Sequence, residues 1–161
     1  MWVLIVLSLI STTLAQNSIC SFSQGNIAAN WTSTATGIQI QFSNSNLANN
    51  QWTAIVFGDS KANTSMLVFE NVSNQVVVQT KSKSANGVKT LDSPSQATVQ
   101  STTLSGSSLN ALVTLPSTFD GVDLTTCQIW FFIETGTMKN GYVGYKNNRP
   151  YVLGNVCAGQ C

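Results

Sequence analysis

Apolar and polar residues alternate strictly over residues 38–42: Ile38, Ile40 and Phe42 fall on one side, Gln39 and Gln41 on the other. A period of two sends successive side chains to opposite faces, so this segment predicts a half-buried strand. Short β-type segments recur at 52–57, 66–69, 76–80, 98–104, 109–115, 128–133 and 141–145. Polar stretches separate them: the Asn-rich 43–51, a turn through Asn74, Asn86-Gly87, a hairpin turn at 105–108, and 136–141. Pro116 ends the segment before it because it has no N–H to give a ladder. No helical period is present. The spacing predicts an all-β fold, an antiparallel β-sandwich of about eight to ten strands.

Three segments fail to alternate. Residues 52–57, 66–69 and 129–133 are apolar on both faces, whereas a sandwich strand ordinarily buries only one. In the last of them, Trp130 and Phe132 share one face and Ile129, Phe131 and Ile133 the other. One face belongs to the core. The other is either covered by a loop or lines a ligand cavity.

The chain start alters the picture of where this fold works. Residues 1–15 carry an apolar run from Trp2 to Ile10, broken only by Ser8, and then small residues up to Ala15. That is the signal-peptide pattern, with a run too short to span a bilayer. Cleavage after Ala15 leaves residues 16–161 as one secreted extracellular domain, with no membrane span in the mature chain.

Charge narrows the partners. Only 8% of residues are charged and the net charge is +1, with the basic residues scattered, so no nucleic-acid surface is expected. Solubility must then come from hydroxyls, amides and glycans, since Ser, Thr and Asn make up a third of the chain. Asn30, Asn63 and Asn71 each head an Asn-X-Ser/Thr sequon. Four cysteines, Cys20, Cys127, Cys157 and Cys161, predict two disulfides in an oxidising compartment, in one of three pairings. A bridge from Cys20 to a C-terminal cysteine would tie both ends of the domain together. Cys157 and Cys161 are spaced like metal ligands, but the chain has no His and no metal site is expected.

The order of these elements resembles a DOMON domain, the secreted sandwich first named from dopamine β-monooxygenase. Trp31 precedes the alternating strand at 38–42, and Trp52 leads a strand that ends at Gly58. An apolar strand at 66–69 and a polar turn to Asn74 lead into Val76-Val77-Val78. Leu91-Asp92 then precedes the strands at 98 and 109, with Phe119 beyond. The resemblance covers residues 31–132. It implies an immunoglobulin-like sandwich that binds haem or sugars through a pocket in one sheet, the haem-binding members using Met and His as axial ligands. Met66 sits near the place of the family's Met, but the His has no counterpart. A Met/His-ligated haem is therefore not expected, and Met66 reads as a core-filling side chain.

Catalysis finds little support. General acid–base work calls on His or tuned carboxylates, and the acids are Asp59, Glu70, Asp92, Asp120, Asp123 and Glu134. Asp120 and Asp123 flank Gly121-Val122 and read as solvated acids of a turn. A serine nucleophile would lack its His, and the thiols are spent in bridges. The expectation is a non-catalytic binding domain for a sugar or small apolar ligand, lined by Trp52, Phe57, Met66, Trp130 and Phe132. The alternative is a structural or interaction glycoprotein of an extracellular layer.

Overall fold

The computed structural model describes residues 18–58, 64–83, 89–139 and 142–161. Two antiparallel sheets face each other. The smaller holds β1 (Ser21–Gln24), β2 (Ile27–Thr34), β3 (Gly37–Asn44), β8 (Thr98–Ser105) and β9 (Ser108–Leu115), in the order β1-β2-β3-β9-β8. The larger holds β4 (Gln51–Phe57), β5 (Thr64–Val72), β6 (Gln75–Lys83), β7 (Lys89–Leu91), β12 (Gln128–Lys139), β13 (Tyr142–Lys146) and β14 (Tyr151–Val156). Its order is β13-β12-β4-β5-β6-β7, with β14 pairing the first half of β12 and β13 the second. A hairpin of β10 (Thr118–Phe119) and β11 (Val122–Asp123) closes one end. The all-β sandwich expected from the alternation is the observed fold, with more strands than the eight to ten anticipated, the extra ones mostly short.

Alternation dictates which side of each strand meets the core. Ile38, Ile40 and Phe42 of β3 are fully buried, as are Leu109, Val113 and Leu115 of β9, while Gln39, Gln41, Asn110 and Thr114 point away. From the opposite sheet, Phe57, Ile55, Leu67, Phe69, Trp130 and Phe132 complete the core. Aromatic rings fill its centre: Trp31 and Trp130 have centroids 4.7 Å apart, Phe57 meets Trp130 edge-on at 4.8 Å, and Phe42 stacks on Phe69 at 4.6 Å. Offset and edge-to-face pairs of this kind add to the area they bury, because ring edges are positive and faces negative.

Both bridges form, and one ties the ends together as anticipated. Cys20 joins Cys161, and Cys127 joins Cys157, clamping the residue before β12 to the residue after β14. A 3-10 turn, Ala158–Gln160, lies between the two C-terminal cysteines, with Ala158 in the core.

Several sequence expectations need correcting. Residues 136–139 are not a turn; β12 runs through them to Lys139, past a bulge between Ile133 and Gly136. Thr53 Oγ1 donates to the Ile133 carbonyl at 2.7 Å and Asn44 Nδ2 to the Glu134 carbonyl at 2.7 Å, so core polar groups satisfy the backbone where the ladder slips. Strands β1, β2 and β14 were not anticipated. The turn at Asn86-Gly87, the sequon at Asn63 and the segment 1–15 lie outside the described residues.

Candidate functional site

Strands β4, β5 and β12 are apolar on both faces, and the register shows what each face meets. Phe57, Ile55, Leu67, Trp130 and Phe132 all belong to the inter-sheet core. Three of the five expected ligand-lining residues, Phe57, Trp130 and Phe132, are thus core side chains with 0% exposure. The correction has a simple cause: parity says which residues share a face, and only the second sheet says which face is inside. Trp52 and Met66 are different. They lie on the outer face, in a separate apolar cluster with Ala54, Val68 and Ile133.

This outer cluster is built from cross-strand neighbours. Ala54 pairs with both Ile133 and Val68, Val56 pairs with Met66, and Trp52 pairs with Gly136 and Glu70. Gly136 is what lets the Trp52 indole lie flat: a Cβ there would collide with indole atoms Cε2, Cζ2 and Nε1. Half-buried Val56, Met138 and Val143 pack against the cluster.

Polar groups border it. On the same face, Glu70 of β5 pairs with Lys81 of β6 at 3.0 Å, and both are buried. Met66 is the cross-strand neighbour of Lys81, and Trp52 of Glu70. A buried ion pair repays desolvation only when its geometry is good, and removing one partner leaves an uncompensated charge. The Trp52 Nε1–H, on a residue 1% exposed, has no acceptor among the described residues. The indoles of Trp31 and Trp130 share that state within the core, but only that of Trp52 borders a charged pair. Sequence reading named Trp52 and Met66 and missed the pair; Lys81, four residues beyond Val77 in a strand, was the available signal.

Two further polar clusters lie elsewhere. Glu134 accepts from the Asn26 backbone N–H at 3.0 Å, from the Asn26 side chain, and from the Tyr151 hydroxyl at 2.9 Å. Burial pushes its pKa up, but these hydrogen bonds outweigh it and hold the carboxyl below its ordinary value. At the β10–β11 turn, Asp120 faces Asp92 and binds the Gln96 amide. Burial and then the Asp92 charge push its pKa to about 6. Asp120 is therefore not the solvated acid expected, whereas exposed Asp123 is, its carboxylate accepting from the Thr125 N–H and hydroxyl.

Of the two described sequons, Asn30 is exposed on β2, but Asn71 is not available. Asn71 is fully buried and its Nδ2 donates to the Leu47 carbonyl at 3.0 Å. A glycan on that nitrogen has no room, so of the two described sequons Asn30 is the accessible one.

The residues do not fit the haem that the resemblance implied for some relatives. Met66 supplies a thioether at the outer cluster, but the chain has no imidazole to oppose it.

No protein-family model matches the chain, and no solved structure does. Curated relatives do. A DOMON domain-containing protein of Caenorhabditis briggsae is 30% identical over 154 residues, 91% of each chain. Two from Caenorhabditis elegans are 29% identical over 162 residues (97% of this chain, 96% of the relative) and 27% identical over 163 residues (98% and 90%). With a two-sheet antiparallel fold and relatives of this name matched over nearly their whole length, the chain belongs to the DOMON domain family.

Proposed function

We propose that the chain is a secreted, non-catalytic DOMON domain that holds a small ligand against the outer face of its larger sheet, around Trp52 and Met66. One observation carries this reading. The outer cluster joins the Trp52 indole, whose buried N–H has no acceptor among the described residues, to apolar side chains and a buried Lys81–Glu70 pair, the combination of apolar surface and few polar groups that small-molecule sites use. An unmet buried donor costs roughly 1–3 kcal/mol, and a ligand oxygen placed against it would recover part of that. The ligand class is a sugar or a small apolar molecule with an acceptor group, since an indole face stacks on either. The signal-like residues 1–15 and the two disulfides support secretion. A non-catalytic role accords with the absence of His from the chain.

The test is native mass and visible absorption of protein purified from secreting cells, compared with Trp52→Leu and Met66→Leu variants. A copurifying mass lost on Trp52→Leu, in a variant that still unfolds cooperatively, supports the site. A bare polypeptide-plus-glycan mass, with no spectral or calorimetric response to sugars or apolar probes, removes it. The structural-glycoprotein reading would then stand, favoured by the placement of Phe57, Trp130 and Phe132 in the core.

A further inference from the structure

The five strands of the smaller sheet contain no Asp, Glu, Lys or Arg. Its outer face is a lattice of hydroxyls and amides in register. One row runs Asn30, Gln41, Leu112, Ser101 across β2, β3, β9 and β8, and the next runs Thr32, Gln39, Thr114, Thr98. Two shallow grooves cross this face. One of about 360 Å³ is lined by Gln39, Gln41, Ser101, Thr103, Asn110 and Leu112. The other, of about 300 Å³, lies beside Thr98, Gln100 and Thr114.

We infer that this face is the bed of an N-linked glycan carried on Asn30. The inference rests on the secretory route proposed above. Asn30 and Thr32, the acceptor and the hydroxyl of one sequon, both point outward from β2 and are exposed. Gln41 is the direct cross-strand neighbour of Asn30, and Leu112 lies one strand further, about 10 Å from Asn30 at ordinary strand spacing. A chain of sugars leaving Asn30 across the strands therefore runs into the larger groove. Its lining suits a neutral polyhydroxylated occupant: Gln, Ser, Thr and Asn side chains both donate and accept, as sugar hydroxyls do. Half-buried Leu112, an apolar side chain amid this polar lattice, gives the C–H face of a sugar ring a partner. Absence of charge discriminates against an anionic or cationic partner, which would lose its counter-charge here. The face also has need of a cover, because an uncharged sheet surface ending in the uncharged edge strand β8 lacks the charges that deter association.

The experiment uses the full chain secreted from eukaryotic cells, with glycopeptide mass spectrometry and side-chain NMR before and after trimming to a single sugar. The expected result is an occupied Asn30, with trimming shifting the Gln41 amide and Leu112 methyl signals and raising self-association in sedimentation. Asn30→Gln and Thr32→Ala, both surface changes, should reproduce that state. Secreted protein bare at Asn30 overturns the inference while leaving secretion intact. So does an occupied Asn30 whose trimming moves neither signal, since the glycan then projects into solvent. A chain retained in the cell overturns secretion and the glycan bed together.

Discussion

Gly136→Ala is the sharpest perturbation of the outer cluster. The Cβ it adds falls closer to Trp52 Cε2, Cζ2 and Nε1 than the 3.0 Å below which real Cβ contacts essentially never occur. The indole is a rigid ring, 1% exposed, and wedged among Ala54, Met66, Val68 and Ile133, so it cannot swing freely away. Overpacking of this kind costs roughly 1–3 kcal/mol. For a domain of this size each kcal/mol lowers Tm by roughly 2–4 °C, so the expected fall is roughly 2–12 °C. Gly136 has no positive φ, so backbone strain contributes nothing and the effect belongs to the indole. A double-mutant cycle isolates it. Trp52→Leu alone destabilises by removing buried surface, but on that background Gly136→Ala should cost at least about 0.5 kcal/mol less than in the native protein, as residues in contact do. Urea titrations of the four proteins give the coupling. Additive costs within about 0.5 kcal/mol, or a Gly136→Ala protein as stable as the parent, would refute the packing described and weaken the case for Trp52 as an ordered wall.

Other expectations follow from the same structure. Trp130→Ala should cost about 3–5 kcal/mol whether or not a ligand is present, because the ring lies in the inter-sheet core; an effect seen only with ligand bound would place it at the site. Asp120 holds its proton more tightly when folded, with a pKa raised from 3.8 to about 6. Its stabilisation is complete below pH 3.8 and is lost as pH rises through about 6, so Asp120→Asn should flatten the decline in urea midpoint between about pH 4 and 6. Glu134 acts in the opposite sense: its lowered pKa gives stability present above 4.5 and lost as pH falls through the folded value, and Glu134→Gln should remove that acid limb. Reducing the Cys20–Cys161 bridge, which spans 141 residues, should cost about 5 kcal/mol in the chain-entropy account, against about 4 for the 30-residue Cys127–Cys157 bridge; denaturation of single-bridge variants measures both. Glycopeptide mass spectrometry should find Asn71 unmodified in folded protein, since its amide is engaged with Leu47.

Local periodicity determined the fold class, because a strand with one buried face must alternate whatever it packs against. Ile38 to Phe42 and Leu109 to Leu115 were legible for that reason, and the count of four cysteines after an apolar N-terminal run pointed to two bridges. Strand β2 carried the same signal in Ile27, Ala29 and Trp31, all buried, but Ala at the middle position and the Asn and Thr around it hid the period. Strand β14 has half-buried Tyr151 and Leu153 and buried Val156 facing the core, but a register shift puts Val156 out of phase with the other two and Val152 is exposed, so its alternation is weak. The doubly apolar strands announced that both faces needed cover, yet parity cannot distinguish inside from outside. That assignment came from the second sheet, which put Trp130 and Phe132 in the core and left Trp52 and Met66 on the far side. The meetings of Lys81 with Glu70 and of Asp92 with Asp120, and the choice of Cys161 over Cys157 as the partner of Cys20, were equally beyond the sequence. They are fixed by strand register and chain closure, which depend on how distant segments pack and leave no trace in the spacing of neighbouring residues.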